Sequence, residues 1–189
     1  MPRGLGPRGF LTEEEMQNIV TQWRAASPTI PKFWRDAETA AVRALERPGT
    51  PFKLPCGVAY RKDADALRCR LPSGRVLSYW GAGLTDDGQM YFQGQNQTTK
   101  KWERVETWGG KLVENIVQAY ARDCLGAAML RLDEAGYKIC FHVHDEIIAE
   151  AYEDERWEDM AEIMGQPIDW APGLLLRADG YATKYYMKD

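Results

Sequence analysis

Residues 137–151, Tyr-Lys-Ile-Cys-Phe-His-Val-His-Asp-Glu-Ile-Ile-Ala-Glu-Ala, leave the backbone few choices. Ile139, Phe141 and Val143 alternate with Lys138, Cys140, His142 and His144, the period of a half-buried strand. The pattern breaks at Asp145-Glu146 and resumes at Ile147-Ile148. Such close spacing predicts an antiparallel hairpin of Tyr137–His144 and Ile147–Ala151, with His144, Asp145 and Glu146 at its tip. Both histidines of the chain, His142 and His144, lie here, and strand alternation sets them on one face. An acidic pair in a turn has an ordinary explanation, because Asp hydrogen-bonds its own backbone there. Rigid apolar strands on either side also make a good mount for a carboxylate that must hold position.

Ahead of the hairpin the period lengthens. A helix is expected from about Lys111 to Ala135, with Gly136 ending it. Val113, Val117, Tyr120, Cys124 and Ala127 or Ala128 recur at helical spacing and are expected in the core. Lys111, Asn115, Gln118 and Arg122 share the opposite face. Such a face is ordinarily solvated surface. Amides and cations there also match purine N3 and pyrimidine O2, acceptors that every base pair shows in the minor groove. Contacts of that kind test pairing geometry without reading sequence.

The first helix is signalled by Thr12-Glu13-Glu14-Glu15, a capping box, and should end near Ser27 before Pro28. A second, from about Pro31, has Phe33, Trp34, Ala37, Ala40, Ala41 and Ala44 on its apolar side and stops at Pro48-Gly49. Residues 50–107 read as antiparallel strands: Leu67–Leu71, Arg75–Trp80, Gln89–Gly94 and Lys101–Thr107, separated by Pro72-Ser73-Gly74 and Asp86-Asp87-Gly88. After the hairpin come a helix from about Asp154 to Met164 and a strand over Leu174–Tyr181 and Tyr185-Tyr186 returning to the sheet. The fold class is α+β: an antiparallel hairpin packed with long helices, plus a small antiparallel β insertion. Three segments follow: 1–49 helical, 50–108 the insertion, and 109–189 carrying the hairpin, one compact unit with the first helices.

The 189 residues, 44% hydrophobic, suffice for one domain or two small ones with a real core. No apolar run approaches the ~20 residues that span a bilayer. The start, Met1 to Gly9, has basic residues but no apolar stretch of a signal peptide, so a cytoplasmic protein is expected. Cys56, Cys69, Cys124 and Cys140 are too irregularly spaced for a zinc knuckle. A net charge of −4 argues against a dedicated nucleic-acid coat, though not against an enzyme that acts on DNA.

His144-Asp145-Glu146 between apolar strands, preceded by Gly109-Gly110-Lys111-Leu112-Val113-Glu114-Asn115-Ile116-Val117-Gln118-Ala119, resembles the last signature motif of family A DNA polymerases. The likeness is to bacteriophage-type, DNA polymerase I-like members, and extends to Leu71-Pro72-Ser73-Gly74-Arg75 and Trp102-Glu103-Arg104. It implies the carboxy-terminal, post-fingers palm portion of such an enzyme, working with two Mg²⁺ ions, primer-template DNA and a dNTP. By that resemblance Asp145 ligates metal, Glu146 supports the site, and His144 approaches the primer end. Gln118 corresponds to the helix glutamine that touches the minor groove, with Asn115 and Lys111 near the family's other two contacts, while Arg122 joins them by its place on the same helix face. The chain departs from the family pattern where Glu114 stands four residues before Gln118, in place of an Asn. It also lacks an Asp-Tyr-Ser segment and the fingers motif. The resemblance therefore implies a fragment, prophage remnant or half of a split enzyme, inactive alone and completed by the missing polymerase part or a partner subunit. Two other classes stay open: a non-catalytic DNA-binding or assembly module, and a metal-dependent hydrolase built on His142, His144 and Asp145.

Overall fold

A computed structural model describes residues 11–96 and 98–187. The reading of Met1 to Gly9 lies outside them. The chain divides into two compact units: one takes the described residues through Pro55 with Ala59–Cys69 and Ser78–Glu114, the other Cys56–Val58, Arg70–Leu77 and the residues from Asn115.

In the first unit, α1 (Glu13–Ala26) begins at the expected capping box. Glu15 N donates to Thr12 Oγ1 at 3.2 Å, and Thr12 N donates to the Glu15 carboxylate at 2.8 Å. The Thr12 backbone N–H, then its hydroxyl, hold the Glu15 carboxyl below the usual range. This helix buries no residue: Met16, Ile19, Val20 and Trp23 are 39–51% exposed. Trp23 stacks on Trp34 of α2 (Thr29–Glu46) with ring centroids 6.0 Å apart. Ala37, Ala40, Ala41 and Ala44 form the buried stripe of α2, small enough to let it lie close on β1 (Phe52–Lys53) and β2 (Ala59–Lys62).

Strands β1 and β2 pair antiparallel and continue into β3 (Ala66–Arg70) and β4 (Val76–Trp80), in the order β1-β2-β3-β4. A second sheet orders β5 (Gly83–Leu84), β6 (Met90–Gln95) and β7 (Trp102–Thr107), antiparallel throughout. Buried Tyr79 meets Phe92 edge-on at 5.3 Å. Two very short strands, β1 and β5, and β2 are additional to those read from the sequence.

α3 runs from Gly109 to Glu134, its first six residues in the first unit and the rest in the second. Its end is a Schellman motif: Gly136, at φ +91°, donates to Asp133 O, and Tyr137 N donates to Leu132 O, each at 3.0 Å. β8 (Lys138–Val143) and β9 (Glu146–Glu150) form the two-stranded sheet, followed by α4 (Trp157–Met164). The core of the second unit gathers Cys124, Ile168 and Ala171 with Tyr120, Trp170 and Leu176 around it. Arg131 donates to Gln166 O at 2.8 Å and Pro167 O at 2.5 Å, fastening the loop after α4 to α3.

The fold class holds, with helices and antiparallel sheets together. Two details differ. Val117 is 57% exposed, because at its level α3 buries Leu112, Val113, Ile116 and Ala119, and Val117 lies one residue round from Ile116. No strand forms over Leu174–Tyr181 or at Tyr185-Tyr186. Leu176 instead packs on the Cys124 cluster and Tyr186 meets Phe141, so the apolar residues anchor a segment outside any sheet.

Candidate functional site

The hairpin turns over two residues, His144 and Asp145, between paired Val143 and Glu146. His144 sits at φ +51°, a left-handed conformation that a non-glycine residue seldom takes, though His is among those enriched there. Asp145 is exposed, and among the described residues it joins no ion pair. Glu146 is the first residue of β9 and is also exposed. The turn thus presents two carboxylates and an imidazole to solvent.

The strained turn makes a stability prediction. Left-handed backbone costs an L-residue about 1–2 kcal/mol, against roughly 0.5–1 kcal/mol for the entropy that glycine loses in folding. His144→Gly should therefore raise the unfolding free energy by ~0.5 kcal/mol in urea titration. A clear loss of stability would mean that the imidazole itself holds the turn.

β8 carries a bulge. Ile139 pairs with Ala149 and Phe141 with Ile148, so Cys140 is the extra residue and the side-chain phase shifts beyond it. This corrects the simple alternation. Phe141 is 42% exposed and meets Tyr186 edge-on at 5.2 Å. His142 is half-buried, with Nε2 3.1 Å from an Arg122 guanidinium nitrogen. Arginine can only donate, so Nε2 accepts and the proton sits on Nδ1. That buried N–H has no partner among the described residues. A guanidinium against Nε2 opposes a cation there, which weakens the His142–His144–Asp145 metal reading. Among the described residues no three His, Cys, Asp or Glu gather to hold a metal.

The same contact joins the hairpin to the polar face of α3. Arg122, Gln118 and Asn115 follow one another up that face and are exposed. Lys111, one turn before Asn115, pairs with Glu114 at 2.9 Å. An exposed pair of this kind contributes at most about 1 kcal/mol, so it leaves Lys111 available. Arg122, Gln118 and Asn115 thus lie on a helix face tied to the hairpin through His142.

A feature not read from the sequence stands behind that face. Asp123, mostly buried, pairs with Arg75 Nε at 2.6 Å and accepts from Ser73 Oγ at 2.5 Å. Arg75 also donates to Ala119 O. The turn Ser73-Gly74-Arg75 therefore grips α3 beside Arg122. Its only trace in the sequence is a charge next to core residue Cys124, whose thiol burial pushes up from its ordinary pKa. Burial likewise raises the Tyr120 phenol.

These residues suit a share in a Mg²⁺ site rather than a whole one. Mg²⁺ binds through one or two carboxylates plus waters and substrate phosphates, and Asp145 offers an exposed carboxylate outside any ion pair among the described residues. Among the described residues no group of three potential ligands gathers to complete a centre.

The chain is similar to a phage DNA polymerase. Over 185 residues, 95% of this chain, it is 45% identical to the DNA polymerase of Bacillus phage SP02. The chain spans 28% of that polymerase's length. No family model matches it, and no solved structure does. The likeness to a phage-type DNA polymerase read from the sequence is supported by this relative. No helix among the described residues is long and apolar enough to cross a membrane.

Proposed function

We propose that the chain is the post-fingers palm portion of a DNA-directed DNA polymerase of the family A, DNA polymerase I-like type. The observation that carries the reading is 45% identity to the SP02 polymerase along nearly the whole chain. The site geometry supports it, because His142 and Arg122 tie the carboxylate-bearing turn to the helix face that carries Gln118. Asp145 would hold metal, and Glu146 beside it would support the site electrostatically. Mg²⁺, when bound, supplies charge stabilisation for nucleotidyl transfer to the primer 3′-hydroxyl. Gln118, Asn115, Lys111 and Arg122 would donate to minor-groove acceptors of the newly formed pairs, and His144 would approach the primer terminus.

The reading also accounts for α1. Helices of this length are marginal in water unless an apolar face is covered, and the face of Met16, Ile19, Val20 and Trp23 is open. The rest of the polymerase is the covering surface, and it would supply the missing metal carboxylate and fingers residues. The chain alone is then inactive.

A chimera tests this: the matching segment of the SP02 polymerase is replaced by this chain. Primer extension dependent on Mg²⁺ is expected from the chimera and not from the 189-residue chain by itself. Gln118→Ala in the chimera should weaken extension about two- to tenfold, the worth of one lost hydrogen bond. A folded chimera that copies no template would refute the reading, and synthesis by the isolated chain would refute the need for a partner.

A further inference from the structure

We propose that the distal half of the β6–β7 ribbon is a binding surface for single-stranded DNA, with Trp102 as its stacking platform. The polymerase reading enters only in naming DNA, rather than RNA, as the strand bound. Alternation along the two strands puts Tyr91, Gln93 and Gln95 on one face with Trp102, Arg104 and Glu106, and the register sets Gln95 opposite Trp102 and Gln93 opposite Arg104. On the other face Met90, Gly94 and Thr107 are buried, and Phe92, Glu103 and Val105 are half-buried.

Two neighbouring glycines leave room for the side chains of the outward face. A Cβ on Gly83 would lie 2.7 Å from Tyr91 Oη, and one on Gly81 would lie 2.8 Å from Gln93 Cγ. Glycine at both positions lets the Tyr91 ring and the Gln93 chain lie across the sheet. The Arg104 guanidinium covers Tyr91 at 4.1 Å from the ring centroid. Trp102 differs: it is 68% exposed, and among the described residues no ring or cation stacks on it. By contrast Trp80, on the other sheet, already carries the Arg68 guanidinium at 4.7 Å, itself held by Asp63 and Ser78.

The ribbon carries Lys100 and Lys101 at its tip, while Asp86, Asp87 and Glu106 lie toward the base, where Asp87 feels the charge of Arg104. The acid nearest the tip, Glu103, is turned to the opposite face, where it accepts from Asn96 at 2.5 Å and Thr99 at 3.3 Å. An uncovered indole flanked by cations and amides offers every base a π-face and every phosphate a counter-charge, the requirements for binding a single strand without sequence preference.

The test is fluorescence anisotropy of labelled oligo(dT) with the purified 189-residue chain, at low and raised salt. Binding that weakens with salt is expected, with Trp102→Ala weakening it about tenfold and Trp102→Phe keeping most of it. Lys100→Ala with Lys101→Ala should flatten the salt dependence, and Trp80→Ala should change nothing. No binding of oligo(dT), undiminished binding by Trp102→Ala, or tighter binding of oligo(U) would overturn the proposal. So would a loss of self-association in Trp102→Ala with DNA binding intact, because the face would then be a protein contact. The assay needs no synthesis, so its failure leaves primer extension by the chimera as a separate result.

Discussion

Asp145→Asn in the chimera should lower primer extension at least about a hundredfold, the scale expected when one group stabilising transition-state charge is lost. Asn keeps the shape of the side chain and is itself a good turn residue, so the hairpin should fold as before. Only the charge is removed. Glu146→Gln should cost less, since Glu146 is a strand residue paired with Val143 and the reading gives it a supporting part. Comparing the two by single-turnover extension at saturating Mg²⁺ separates a ligand from a neighbour. Equal losses, or none at Asp145, would take the turn out of the chemistry.

Gly109→Ala should be the most destabilising small substitution in α3. A Cβ there would lie 2.1 Å from Trp34 O and 2.7 Å from Trp34 C, backbone atoms that no rotamer change can move aside. The start of α3 or the segment of α2 around Trp34 must shift, and overpacking of this kind costs about 1–3 kcal/mol, here toward the upper end because the obstacle is backbone. Gly126, in the same helix, is the control. Its Cβ would meet nothing within 4 Å, so Gly126→Ala should stabilise by about 0.5–1 kcal/mol through helix propensity and backbone entropy. Urea unfolding of the two variants therefore predicts shifts of opposite sign. Equal effects would mean that the close approach of α3 to Trp34 is not a feature of the folded protein.

What the sequence disclosed follows physical range. The hairpin, α3 and its Gly136 end were legible because each depends on residues within a few positions: period two, helical period, and one glycine in a left-handed cap. The capping box of α1 was legible for the same reason. The bulge at Cys140 was not, because nothing local distinguishes an extra strand residue from a paired one. Its consequence was hidden with it: His142 moves to the face of the hairpin that carries Ile139, and it meets Arg122, twenty residues earlier. Ser73 and Arg75 reach Ala119 and Asp123 across 44 to 50 residues of chain, a pairing that periodicity cannot announce. The carboxy-terminal stretch misled because Leu174-Leu175-Leu176 has strand composition but no partner strand among the described residues.

The most direct test of the account is contact with DNA at the proposed face. A benzophenone side chain placed at Gln118 of the chimera, and in a second protein at Leu130, is irradiated with labelled primer-template. The account predicts crosslinks from Gln118 to the terminal base pairs of the primer and none from Leu130. Crosslinks from Leu130 alone, or from Gln118 only to distant duplex, would contradict it.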